Sequence, residues 1–329
     1  LFLAFLSSVL AWYFDGVIIW TFAKALGYKL PIMFCTGVNL ANIFVSTVTP
    51  FQSGGAPLQI YMLNKKGISV GESITIGLIK WLLVMFLFAA ISSTAFFSKE
   101  SFLVDEKVFN IFKNVIFFVI LIVVIFMLSG FFPHFYKVII ERIIRFFCRL
   151  RFLKRYEEPS IKTIAGLINE FHSSFISFTK GNFRYLLLSI FFTILFMIFY
   201  SLIAVFLIAS IGKIDILDFS AVLHVIILQI FLVFVIYFSP TPGSSGTMEL
   251  GFSLLFIKLT GESMIGFIVL FWRILTTFLP VIYGGAFILR FFSSKNFAGK
   301  IMDAIEIEKE KIKEYENKLQ TKEIEKEEV

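Results

Sequence analysis

Charge is missing from three long stretches of this 329-residue chain. No Asp, Glu, Lys or Arg lies between Lys29 and Lys65, between Arg184 and Lys213, or between Asp218 and Glu249. Each gap exceeds the roughly 20 residues a helix needs to cross a bilayer. Charged residues make up 16% of the chain against 58% hydrophobic, and mean hydropathy is +0.89, more apolar surface than a soluble domain can bury. Cysteine is scarce: Cys35 falls in a predicted membrane segment and Cys148 in a predicted cytosolic one, so no disulfide is expected. The three His residues, at 134, 172 and 224, are far apart, and metal-ligand spacing is absent. No Gly-rich nucleotide loop and no pair of catalytic carboxylates is present. The expectation is therefore no metal, no cofactor and no enzyme. Leu, Ile and Phe runs without strict alternation argue for helices and against a barrel. The fold class expected is all-α and polytopic.

Membrane helices are predicted near 1–23, 32–48, 70–97, 108–130, 183–210, 216–238 and 262–291, with short helices near 55–63 and 245–259. Between residues 133 and 182 nine Lys and Arg, among them Lys137, Arg142, Arg145 and Lys162, outnumber Glu141, Glu157, Glu158 and Glu170, which places this loop in the cytoplasm. Lys65 and Lys66 then lie inside, Lys99 to Lys107 outside, Lys213 to Asp218 and Gly261-Glu262 outside, and Arg290 to Lys300 inside. The basic loop alternates its charges with Phe and Ile, as in Ile143-Ile144-Arg145-Phe146-Phe147. That pattern suits either an interfacial helix on an anionic lipid surface or a cytosolic helical hairpin packed on itself. It does not suit nucleic-acid reading. The organisation expected is a transmembrane domain over 1–292 and a charged cytoplasmic helical tail over 293–329. The domain divides into a first repeat over about 1–130, a basic insertion over about 131–182 and a second repeat over about 183–292. The chain begins at Leu1, which points to a start further upstream.

The duplication is written in two motifs. Thr49-Pro50-Phe51-Gln52-Ser53-Gly54 and Thr241-Pro242-Gly243-Ser244-Ser245-Gly246 interrupt apolar runs, and Gly71-Glu72-Ser73 and Gly261-Glu262-Ser263 follow them at nearly the same distance. Five predicted crossings separate the two Gly-Glu-Ser strings, and an odd number inverts one repeat relative to the other. Broken helices at matching places in two halves are a sequence pointer to a mid-membrane binding site. Backbone freed by Pro and Gly inside a bilayer must be shielded by protein or wet, and the helix N-termini after each break present amides suited to an anion. The alternative is a kink that only lets helices pack closely.

The candidate site therefore comprises Gln52, Ser53, Gly54, Gly55 and Gln59 from the first break, and Gly243, Ser244, Ser245, Gly246 and Glu249 from the second. Arg273 and Lys80, each beside a Trp, supply the cations. Glu249 and Arg273 are ionisable at membrane depth, and either clamp a headgroup or form a structural ion pair. Lys80 either joins them or snorkels to the interface. Asn39 and Asn42 lie upstream of the first break on the same helix, and Asp15 has no partner evident in the sequence.

On these motifs, on Pro240 ahead of the second and on the downstream Trp272-Arg273 with Leu275 and Pro280, the chain resembles the lysylphosphatidylglycerol synthase transmembrane-region family over most of residues 10 to 292. That family includes the flippase half of the bacterial multiple peptide resistance factor. The resemblance implies lipid translocation, with Gly243, Gly246, Glu249 and Arg273 matching its second motif. Ala56 and Gln59 stand where many relatives carry an acidic residue and Arg. No soluble aminoacyl-transfer domain follows the last helix, so lipid aminoacylation is not expected. The reading is a flippase or flippase-like transporter for a phosphate-bearing lipid in the cytoplasmic (inner) membrane. The alternatives are a membrane enzyme on a lipid-linked phosphate and a scaffold for a cytosolic synthase. The partners expected are membrane lipids, an anionic lipid surface at the 133–182 loop and no nucleic acid, with a homo-oligomer left open.

Overall fold

The computed structural model describes residues 1–97, 157–178 and 183–293, with isolated helical positions between 117 and 145. The helix expected near 108–130, the outer loop 99–107, Cys148, much of the basic insertion and the tail beyond 293 lie outside the described residues. Every regular element described is helical: α1 (Phe2–Ala25), α2 (Ile32–Val48), α3 (Gly55–Asn64), α4 (Val70–Phe97), α5 (Glu157–Ile176), α6 (Phe183–Ser210), α7 (Phe219–Ile236), α8 (Thr247–Thr260), α9 (Glu262–Arg273) and α10 (Leu279–Phe292). Five of the described spans are long and apolar enough to cross a membrane, the last running from Glu262 to Phe292 through α9 and α10. Helix is forced here, because only an internal ladder satisfies backbone groups in hydrocarbon. Residues 1–284 form one unit and 285–329 a second, of which the described part is the end of α10.

The two halves share one element order at one offset. The breaks begin at Pro50 and Pro242, the short helices at Gly55 and Thr247, and the following long helices at Val70 and Glu262, each pair 192 apart. In the first half α3 folds back along α2. Asn42 Nδ2 donates to Gln59 Oε1 at 2.8 Å, and the Lys66 ammonium lies 5.1 Å from the Phe34 ring at the start of α2. Gly55 makes this crossing close, since a Cβ there would run into the Asn42 carbonyl, 2.7 Å away, and into the Asn42 and Ser46 side chains. The Tyr28 hydroxyl donates to Glu72 Oε2 at 2.6 Å, so the α1–α2 loop and the start of α4 sit at the same end. This carboxylate contact holds the Tyr28 phenol above its usual pKa. In the second half Ser239 and Thr247 hydroxyls meet at 2.9 Å across the break, and Phe252 and Phe256 of α8 pack on Leu228 and Leu232 of α7.

Ala4, Ser7, Ser8 and Ala11 are buried small residues on α1, Ser8 Oγ donates to the Leu275 carbonyl at 2.8 Å, and α1 and α6 pack along one another. The second half has its own core around Trp272, whose ring lies 4.8 Å from that of Phe252. Between α9 and α10 the helix widens into a π segment, Ile274–Phe278. Pro280, which offers no N–H to the carbonyl four residues back, accounts for the widening. Helix α5 sits on the membrane unit. Glu170 Oε2 accepts from Ser69 Oγ at 2.8 Å and from the Gly71 amide at 3.0 Å, capping the start of α4. The buried Phe178 ring stands edge-on to Phe22, 5.4 Å away.

Candidate functional site

Each break starts from a Thr-Pro pair, because Pro50 and Pro242 have no N–H to continue the ladder. Both breaks then pass through two consecutive left-handed residues at matching places: Phe51 and Gln52, with φ of 53° and 54°, and Gly243 and Ser244, with φ of 57° and 52°. For residues with a Cβ this conformation costs roughly 1–2 kcal/mol each. Such strain persists only where the surroundings over-determine it, and it concentrates at functional places.

The two tips touch. Gln52 Nε2 donates to Ser244 Oγ at 3.2 Å, and the Phe51 amide donates to the Pro240 carbonyl at 3.4 Å. Gln52 and Ser244 are themselves the matching residues of the two halves, 192 positions apart. Gly243 completes the contact, since a Cβ at that position would lie 2.9 Å from the Thr47 methyl. Ser244 is fully buried, whereas Ser53 and Ser245 are exposed and bond within their own turns.

Behind the second tip Arg273 is 5% exposed and gathers three elements. Its Nη1 donates to the Gly243 carbonyl and to Thr277 Oγ1, both at 3.2 Å, and rests against the Met248 sulfur. Its Nε lies 2.9 Å from Glu249 Oε1, a charge pair more than an aligned hydrogen bond. Glu249 Oε2 accepts from the Gly246 amide at 2.8 Å and so caps α8. In the first break the Gly54 amide is likewise taken, by Thr49 Oγ1 at 3.0 Å. Two of the amides that the sequence offers to an anion thus already have side-chain acceptors.

Lys80 stands apart from the tips. Its Nζ lies 2.6 Å from Asp15 Oδ1 and donates to Asn39 Oδ1 at 2.7 Å. Asp15 and Asn39 join the site through this cluster. The signal for Asp15 was its isolation, an acid in an apolar helix that needs a cation from another. Gln59 is buried and held by Asn42. Away from the breaks, a cleft of about 620 Å³ is lined by Lys137, Glu141 and Arg145 on one side and by Lys162 and Asn169 of α5 on the other, three cations against one carboxylate.

The chain is 24% identical over 290 residues to a protein of Archaeoglobus fulgidus described as a UPF0104 membrane protein, an alignment covering 86% of this chain and 84% of that one. No solved structure matches it. The family model described as lysylphosphatidylglycerol synthase TM region matches residues 1–284, a span that takes in both breaks, both ion pairs and the helices that carry them. With most of its length inside that match, the chain belongs to the lysylphosphatidylglycerol synthase transmembrane-region family.

Proposed function

We propose that this multi-pass protein moves a phosphate-bearing lipid across the cytoplasmic membrane. The observation that carries the reading is the meeting of the two broken tips through matching residues, Gln52 and Ser244. Lys29, Lys65 and Lys66 surround the open end of the α2–α3 hairpin, while Asp215, Asp218 and Glu262 outnumber Lys213 and Lys258 at the open end of α7–α8. By the positive-inside rule the first hairpin enters from the cytoplasm and the second from outside, as re-entrant elements of two inverted repeats. Their tips then meet near mid-bilayer, where a headgroup passing between the faces must go by them. Lys80 and Arg273 place one cation in each half, and the lipid chains stay in the membrane. The cationic cleft beside α5 supports docking on an anionic lipid surface.

The enzyme reading needs a general base beside a break, and Glu249 is the residue at hand. Its two oxygens are taken by the Gly246 amide and Arg273, which favours transport over group transfer. Reconstitution separates the readings: labelled phosphatidylglycerol reaching the opposite leaflet unchanged supports a flippase, a new lipid product supports an enzyme, and neither leaves a scaffold. In the same vesicles, single cysteines at Lys66 and Gly261 should react with a membrane-impermeant thiol reagent from opposite faces. Labelling from one face would remove the inverted arrangement.

A further inference from the structure

The Asp15–Lys80 pair belongs to neither tip, and the second half has no copy of it: the matching places are Leu207 and Trp272, both fully buried and apolar. We infer that Asp15 is a proton-binding counter-ion, which releases Lys80 to the phosphate of the transported lipid and takes up a proton as it does so. This rests on the reading of the chain as a carrier of phosphate-bearing lipid.

The pair lies deep. Lys80 is ten residues into α4, about 15 Å from its start at roughly 1.5 Å per residue, and Asp15 is in the middle of α1. Both side chains are 13% exposed, so the pair is enclosed without being sealed. Charges at that depth persist only when compensated, and here each compensates the other.

Donors outnumber acceptors around it. Lys80 has three N–H bonds and uses two, on Asp15 and Asn39. Asn39 is 2% exposed, its Oδ1 is held by Lys80, and its Nδ2 has no hydrogen-bond partner among the described residues. A buried amide nitrogen without an acceptor is costly, and it lies beside a cation with a donor to spare. A phosphate monoanion, with several acceptor oxygens, answers both needs. Among the described residues, Cys35 of α2 and Tyr237 at the end of α7 interact electrostatically with the pair. From α6 the neighbours of α1 at this level, Phe192 and Phe199, are apolar and stack on Phe14.

When a phosphate oxygen takes over the Lys80 hydrogen bond, Asp15 faces a like charge at low dielectric, and its neutral form becomes the stable one. The proton comes from solvent and sits on the Asp15 carboxyl. It leaves when the phosphate departs and Lys80 returns. Should uptake and release occur from different faces of the membrane, one proton crosses with each lipid, and a proton gradient drives the movement.

The test is a proton count on the full chain in weakly buffered detergent, with a pH indicator, during titration with short-chain phosphatidylglycerol. Short-chain diacylglycerol serves as the uncharged control. Wild type should take up close to one proton per lipid bound, by linkage between the two equilibria. Asp15→Asn should still bind phosphatidylglycerol and take up none, and Lys80→Gln should bind it at least tenfold more weakly. Binding by wild type without proton uptake, or equal uptake by Asp15→Asn, overturns the role of Asp15 and leaves lipid transport standing. No binding of phosphatidylglycerol by wild type overturns both. If Asp15→Asn does not fold, the wild-type count alone decides.

Discussion

Replacing Arg273 by Gln should bring lipid movement to background and lower stability by about 3 kcal/mol, near the lower end for breaking a buried ion pair. The guanidinium is 5% exposed and joins the Gly243 carbonyl in the second tip, Thr277 in the π segment and Glu249 on α8. Glu249 is 38% exposed, so water relieves part of the charge left behind, which keeps the estimate at the low end. Lysine should not rescue the variant, because a point charge on a flexible stem cannot serve three separated acceptors. Glu249→Gln should be milder in transport, since its amide oxygen can still cap Gly246, yet it leaves Arg273 unpaired. The double variant Glu249→Gln/Arg273→Gln should therefore be more stable than the sum of the single losses predicts. Thermal unfolding in detergent measures the stability, and labelled phosphatidylglycerol in vesicles the transport. Additive stability losses, or unchanged lipid movement in Arg273→Gln, would remove this residue from the site.

The second large effect is steric. Gly55→Val should prevent the α2–α3 hairpin from closing, at about 3 kcal/mol for overpacking. The carbonyl of Asn42 lies 2.7 Å from where the first added carbon must go, and backbone on a packed helix cannot move aside as a side-chain end can. Separating the helices would also pull Asn42 away from the buried Gln59 amide. Gly246→Ala provides the contrast. Its φ is 83° but nothing stands within 4 Å of an added carbon, so only the backbone term applies, roughly 1–2 kcal/mol. A Gly55→Val protein with wild-type melting behaviour would show that the hairpin does not close as described.

Much of this arrangement was legible in residue order. The apolar runs placed the long helices to within about three residues in the described regions. Where an expected end moved, a local interaction explains it: α7 begins at Phe219, beyond the expected 216, because Asp218 Oδ1 accepts from the Ser220 amide at 3.0 Å and fixes the cap. The Thr-Pro strings located both breaks, since a missing N–H acts wherever the chain goes. Contacts between distant elements were not legible. Nothing local to Asp15 names Lys80, nothing in the basic insertion singles out Glu170 as the cap of α4, and the π segment depends on how Pro280 is accommodated. The sequence also suggested open amides after each break. Glu249 and Thr49 accept from two of them, a matter of side-chain rotamer that spacing does not settle.

The contact between the tips is the place to test the whole account. With Cys35 and Cys148 replaced by Ala, Gln52→Cys/Ser244→Cys in lipid vesicles should cross-link within one chain on treatment with a short thiol-reactive bridge. Movement of labelled phosphatidylglycerol should then stop while the chain remains folded, and a reducible bridge should restore it on cleavage. Lipid crossing at an undiminished rate with the two tips covalently joined would contradict passage between them.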